Sequence, residues 1–127
     1  MALQLLFQSE FMPADMSPEE ALRRFVDDFA VDREVAEYGG QLFLGTIAHK
    51  KEIDSLIQAS SAHWKVSRMG LVDLSVMRVA VFEMRFMNPP LSPGIAIDEA
   101  VEIAKKYGST ESGAFVNGIL DQVARSV

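Results

Sequence analysis

Groups able to do covalent chemistry are scarce in this 127-residue sequence. Cysteine is absent, which removes disulfides, zinc–thiolate centres and a thiol nucleophile together. His49 and His63 are the only histidines. The first lies in the polar segment "AHKKE" and the second beside Trp64, and neither has another imidazole or a thiolate at ligand spacing. Solvent-exposed histidine is the ordinary reading of both. Gly39-Gly40 lacks the lysine and the preceding strand of a phosphate-binding loop. No nucleophile elbow appears. Carboxylates are plentiful, but they fall on helix starts and polar faces. These residues predict a protein that is not an enzyme and carries no metal or cofactor.

The stretch with the most to say is "GAFVNGILDQ", residues 113–122. Asn117 and Gly118 sit side by side inside a helical pattern, where glycine costs about 1 kcal/mol relative to alanine. The apolar face of this helix is Phe115, Val116, Ile119, Leu120 and Val123. A second stripe, Ala114, Asn117, Gly118, Asp121 and Arg125, follows helical spacing and is small or polar. Two readings stay open. Gly118 lets a neighbouring helix of the same chain approach, or the stripe is a partner-binding surface.

The elements that position these residues all read as helices. "ALQLLFQSEF" places Leu3, Leu6, Phe7 and Phe11 along one stripe. "SPEEALRRFVDDF" opens with Ser17 as N-cap, Pro18 at the first helical position and Glu20 closing a capping box. Asp32 caps the next helix, in which Gly39-Gly40 implies a kink or a close helix contact. A break near His49 separates it from "EIDSLIQAS". "VDLSVMRVAVFEMRFM" is apolar on a broad face and is expected to be the most buried helix. "NPPLSPG" stops it. A helix then runs from Glu99 to Tyr107, with Gly108 at a C-terminal αL position. The last spans about Glu111 to Arg125. Roughly seven helices with short connections predict an all-α single domain with mostly antiparallel neighbours.

Charge and hydropathy narrow the partners. The apolar fraction is 49% and the net charge is −6. Residues 1–60 hold 11 acids and 5 bases, whereas residues 61–127 hold seven of each. An acidic balance by itself disfavours nucleic acid, whose binding rests on phosphate neutralisation, although a local basic patch remains compatible with it. No apolar run reaches the length of a membrane span. With no cysteine, the chain suits a reducing cytoplasm.

Several segments together resemble a known family. "RVAVFEM", "PPLSPGIAIDEAVEIAKKYG" and "FVNGILD" look like the NusB transcription antitermination factors, as do "ALQLLFQ" and the pair Trp64 and Arg68. The resemblance implies two packed three-helix bundles with an additional helix. It implies a heterodimer with NusE, a small-subunit ribosomal protein, that binds boxA RNA and joins the RNA polymerase antitermination complex. It places Glu83 and Asp121 at the NusE surface, with Asn117 and Gly118 beside Asp121. Phe7 holds the place of a family aromatic that can stack on a base. Phe7 is equally a core position on the first helix. Gln8 follows it on the RNA side. A homodimer that occludes these surfaces would be an off state.

The family pattern carries an arginine-rich segment just before "ALQxLYQ", and those arginines contact RNA. Here Met1 stands directly before the motif, so this chain alone is expected to bind boxA RNA weakly. Two other functions fit the residues. One is a detached N-terminal module of an rRNA cytosine methyltransferase, whose catalytic cysteine and cofactor domain have no counterpart here. The other is a helical interaction domain without RNA binding. Lastly, Arg78 interrupts the apolar run "SVMRVAVF". It either bridges to Glu99 across an antiparallel helix pair or reaches RNA as a surface cation.

Overall fold

A computed structural model describes Gln4, Leu6 and residues 15–126. Among the described residues every regular element is helical: α1 (Pro18–Asp28), α2 (Arg33–Ala48), α3 (Lys50–Ala59), a 3₁₀ turn at Val66–Arg68, α4 (Leu71–Arg85), α5 (Pro93–Tyr107) and α6 (Ser112–Arg125). Gln4 and Leu6 are also helical, in the stretch where the remaining expected helix falls. Phe7 and Gln8 lie outside the described residues.

Helix α4 is the axis of the fold. Ten of its residues are buried, Arg78 and Glu83 among them. Its broad apolar face meets α5 and α6 on one side and α2 and α3 on the other. Helices α4, α5 and α6 pack against one another as a three-helix unit, and the N-terminal half joins it through α2 and α3. Met77, Val81, Ile53, Ile57, Val116, Leu120 and Val123 form the driest part of the core. Each such side chain contributes roughly 1.5–3 kcal/mol on leaving water.

Helix starts follow local chemistry, with corrections to the expected detail. Ser17 Oγ accepts from the Glu20 amide at 3.1 Å. The expected reciprocal bond is replaced by one between Glu20 and Arg24, Nη2 to Oε1 at 3.1 Å, because an i,i+4 guanidinium competes for the same carboxylate. Asp32 stands at the N-cap of α2 but makes no side-chain cap bond. Helix α5 starts at Pro93, six residues before the expected Glu99, since proline with its fixed φ suits the first helical turn and Ser92 precedes it. Gly108 is not left-handed; its φ is −99°. Glycine is needed there because a Cβ would lie 2.7 Å from the Ala104 carbonyl oxygen and 2.8 Å from Ser112 Cβ.

Two other glycines set helix contacts. A Cβ on Gly40 would come within 3.1 Å of Leu22 Cδ2, so the glycine pair marks a close approach of α1 to α2. Gly45 faces the ring of Phe82 on α4. A Cβ there would sit 2.9 Å from Cε2 and nearer still to Cζ and Cε1. Phe82 is itself buried, so its ring has little room to move. Gly45→Ala is therefore expected to lower stability by about 1–3 kcal/mol, read by urea unfolding. An unchanged midpoint would show that the α2–α4 contact is loosely packed.

Candidate functional site

Glu83 forms the floor of a cleft between α2 and α5. Tyr38 and Leu42 line it from α2, Val76, Val79 and Ala80 from α4, and Ala96, Glu99, Ala100 and Ile103 from α5, enclosing about 170 Å³. The residue as a whole is only 5% exposed. Its Oε2 accepts a bond from Tyr38 Oη at 3.2 Å. Burial pushes the Glu83 carboxyl above the usual glutamate range; the Tyr38 bond pulls it back, and the negative charge of Glu99 adds to the rise. Burial and then the charge of Glu83 raise the Tyr38 phenol, so Tyr38 stays protonated as the donor. Two carboxylates flanked by aliphatic walls form a place for a cationic or hydrogen-bond-donating side chain with an apolar stem.

The polar stripe of α6 is a second surface. Ala114, Asn117, Gly118, Asp121 and Arg125 are all exposed, while Val116, Ile119, Leu120 and Val123 are buried. Among the described residues, a Cβ on Gly118 would meet nothing within 4 Å. No described helix of the same chain packs on Gly118, which favours the open-stripe reading. Asp121 Oδ2 pairs with Arg125 Nη2 at 3.1 Å across one helical turn, both side chains being open to solvent. No α6 residue lines the Glu83 cleft, so the expected partner residues fall into two groups rather than one pocket.

Arg78 does not bridge to Glu99. Its guanidinium holds Asp54 of α3 in a fork, Nε to Oδ1 at 2.8 Å and Nη2 to Oδ2 at 2.9 Å. The reason is helix phase. Arg78 and Glu83 are five positions apart, about 140° around α4. The Glu83 side faces α5 and Glu99, so Arg78 turns toward α3. With 7% exposure it is a buried ion-pair member rather than a surface cation.

Comparisons with known proteins resolve the family. A profile described as the NusB family matches residues 1–125. The chain belongs to the NusB family. It is 50% identical over 128 residues to the transcription antitermination protein NusB of Bdellovibrio bacteriovorus, covering 99% of this chain and 91% of that protein. It is 42% identical over 127 residues to NusB of Desulfitobacterium hafniense, covering 99% and 84%. The fold is similar to T. maritima NusB, with TM-score 0.85, 36% identity and coverage of 98% and 86%. It is equally similar to a chain in a crystal structure of antitermination factors NusB and NusE in complex with dsRNA. There the TM-score is 0.84 at 26% identity, with coverage of 99% and 92%.

Within this NusB-family fold, two cleft residues escaped the sequence reading. By spacing alone, Tyr38 reads as one more apolar position of α2, and Glu99 as a helix start and an ion-pair partner of Arg78. Tyr38 is 48% exposed. A large aromatic on a helix that also carries Arg33, Glu34 and Glu37 was the available signal for a half-open position.

Proposed function

We propose that this chain is a transcription antitermination factor that works by binding alone, with no bond made or broken. It docks NusE, and the pair engages boxA RNA and the transcribing polymerase complex in the cytoplasm. Membership of the NusB family, most of whose length it shares, is the observation that carries the reading. The likeness to a chain crystallised with NusE and RNA supports these partners. Among the described residues no helix is long and apolar enough to cross a membrane, in keeping with that site of action.

The geometry supplies a division of labour. The Glu83 cleft accepts a donor side chain of NusE, with Tyr38 holding the carboxylate in place. Asn117, Gly118 and Asp121 form an open strip on α6 whose missing Cβ allows a partner backbone to come close. Gly118→Ala is expected to stabilise the free protein by about 0.5–1 kcal/mol, read by thermal unfolding, and to weaken NusE binding. Stabilisation without any loss of NusE affinity would take Gly118 out of the interface. The reading as a whole is tested by titrating the chain with purified NusE in a calorimeter and adding labelled boxA RNA to the product. A heterodimer that binds RNA more tightly than either component is expected. Failure to bind both NusE and RNA would overturn it.

A further inference from the structure

The loop between α3 and α4 displays Trp64 at the rim of a cavity of about 970 Å³. Trp64 is 60% exposed, an uncommon state for the largest apolar side chain. Yet its backbone is firmly held. Gln58 Nε2 and Ser61 Oγ both donate to the Trp64 carbonyl at 3.0 Å. Gln58 Oε1 accepts from the Val66 amide at 2.9 Å, so one side chain at the end of α3 clamps the loop on both sides of the ring. The indole also stands edge-on to Phe115 of α6, with centroids 6.1 Å apart and planes at 89°. One flat aromatic face is thus fixed in orientation while the ring stays open to solvent.

Charge around the cavity runs against the rest of the chain. Among the described residues its walls carry Lys50, Lys65 and Arg78, the last paired with Asp54, together with His63, in a protein of net charge −6. Val66, Met69, Leu71 and Leu74 add apolar wall. A fixed aromatic face, nearby cations and a volume in the range of ligand sites match an unpaired nucleotide, stacked through its base and held through its phosphate. We infer that Trp64 and Lys65 form a subsite that stacks one unpaired base of single-stranded RNA, with Gln58 as a positioning residue. This rests on the RNA-binding reading above and adds to it a role for Trp64, which the family resemblance places in the chain without assigning it a function.

Trp64 is the only tryptophan of the chain, so its emission reports the site directly. The experiment titrates a single-stranded boxA oligonucleotide into the complex of this chain with NusE. Labelled-RNA anisotropy is recorded beside tryptophan emission, with the Trp64→Phe complex as the blank. Quenching that tracks the anisotropy is expected. Trp64→Ala is expected to weaken binding by about five- to a hundredfold, and Trp64→Phe to retain most of it. Lys65→Ala should flatten the salt dependence by about 0.7 in log K against log salt. RNA binding with unquenched emission and an unaffected Trp64→Ala would overturn the subsite and leave the RNA reading standing. No binding of RNA by the complex at any concentration would overturn both.

Discussion

Arg78→Met is expected to lower the unfolding free energy by about 3 kcal/mol, the largest single loss among the charged residues. It would strand Asp54, whose side chain is 26% exposed, at the junction of α3 and α4. Removing one member of a buried pair costs roughly 3–5 kcal/mol because the remaining charge loses its partner, and the partial exposure of Asp54 puts the value near the lower end. The pair is bidentate, which adds direction to the attraction and fixes α4 against α3. A double-mutant cycle with Asp54→Asn, read by denaturant unfolding, should give a coupling energy above about 1 kcal/mol. The same cycle with Glu99→Gln should give one near zero. Coupling to Glu99 instead would mean that the two helix faces are wrongly assigned.

Glu83→Gln should move stability and binding in opposite directions. The folded protein holds this carboxyl above its ordinary value of 4.5. A raised carboxyl favours the protonated form, so its contribution to stability is full at low pH and is lost as pH rises through the folded pKa. At neutral pH the wild type therefore keeps a charge where a neutral group is preferred. Glutamine has the same shape, still accepts from Tyr38 and removes that charge. Glu83→Gln is expected to be more stable than wild type above the folded pKa, with the advantage vanishing in acid. NusE binding is expected to weaken by about 2–5 kcal/mol, as for truncation of a buried interfacial charge pair. That is roughly thirtyfold or more in Kd. Equal NusE affinity would place the partner's donor elsewhere; a loss of stability at neutral pH would mean that Glu83 is a structural acceptor.

How far the sequence carried these conclusions differs by residue. The buried face of α6 and the dominance of α4 were legible because 3.6-residue periodicity reports directly on burial. The break at His49 was legible too, and the imidazole proves to stack on Phe86 with centroids 4.5 Å apart. The start of α5 is hidden in the sequence because the proline-rich run reads as a stop, although Ser92-Pro93 repeats the Ser17-Pro18 signal that starts α1. Local chemistry is the same at both; the preceding prolines at 89 and 90 obscured it.

Partners across helices were legible only in part. Arg78 inside an apolar run announced a buried ion pair, but its choice of Asp54 over Glu99 depends on helix phase around α4, which spacing within one helix does not encode. Gly118 raised the right question. Its answer needed the space around it, since an open position and a tight contact leave the same residue in the sequence. Gly45 drew no notice at all, because the constraint comes from the ring of Phe82, 37 residues away in the chain.

Read-through in a reconstituted transcription reaction tests the central claim most directly. RNA polymerase would transcribe a template carrying boxA ahead of a terminator, with every antitermination component present except this chain. Adding the chain is expected to raise the fraction of transcripts passing the terminator, and Glu83→Gln to need a higher concentration for the same effect. The same read-through with and without the wild-type chain, in a reaction that responds to another NusB, would contradict the account.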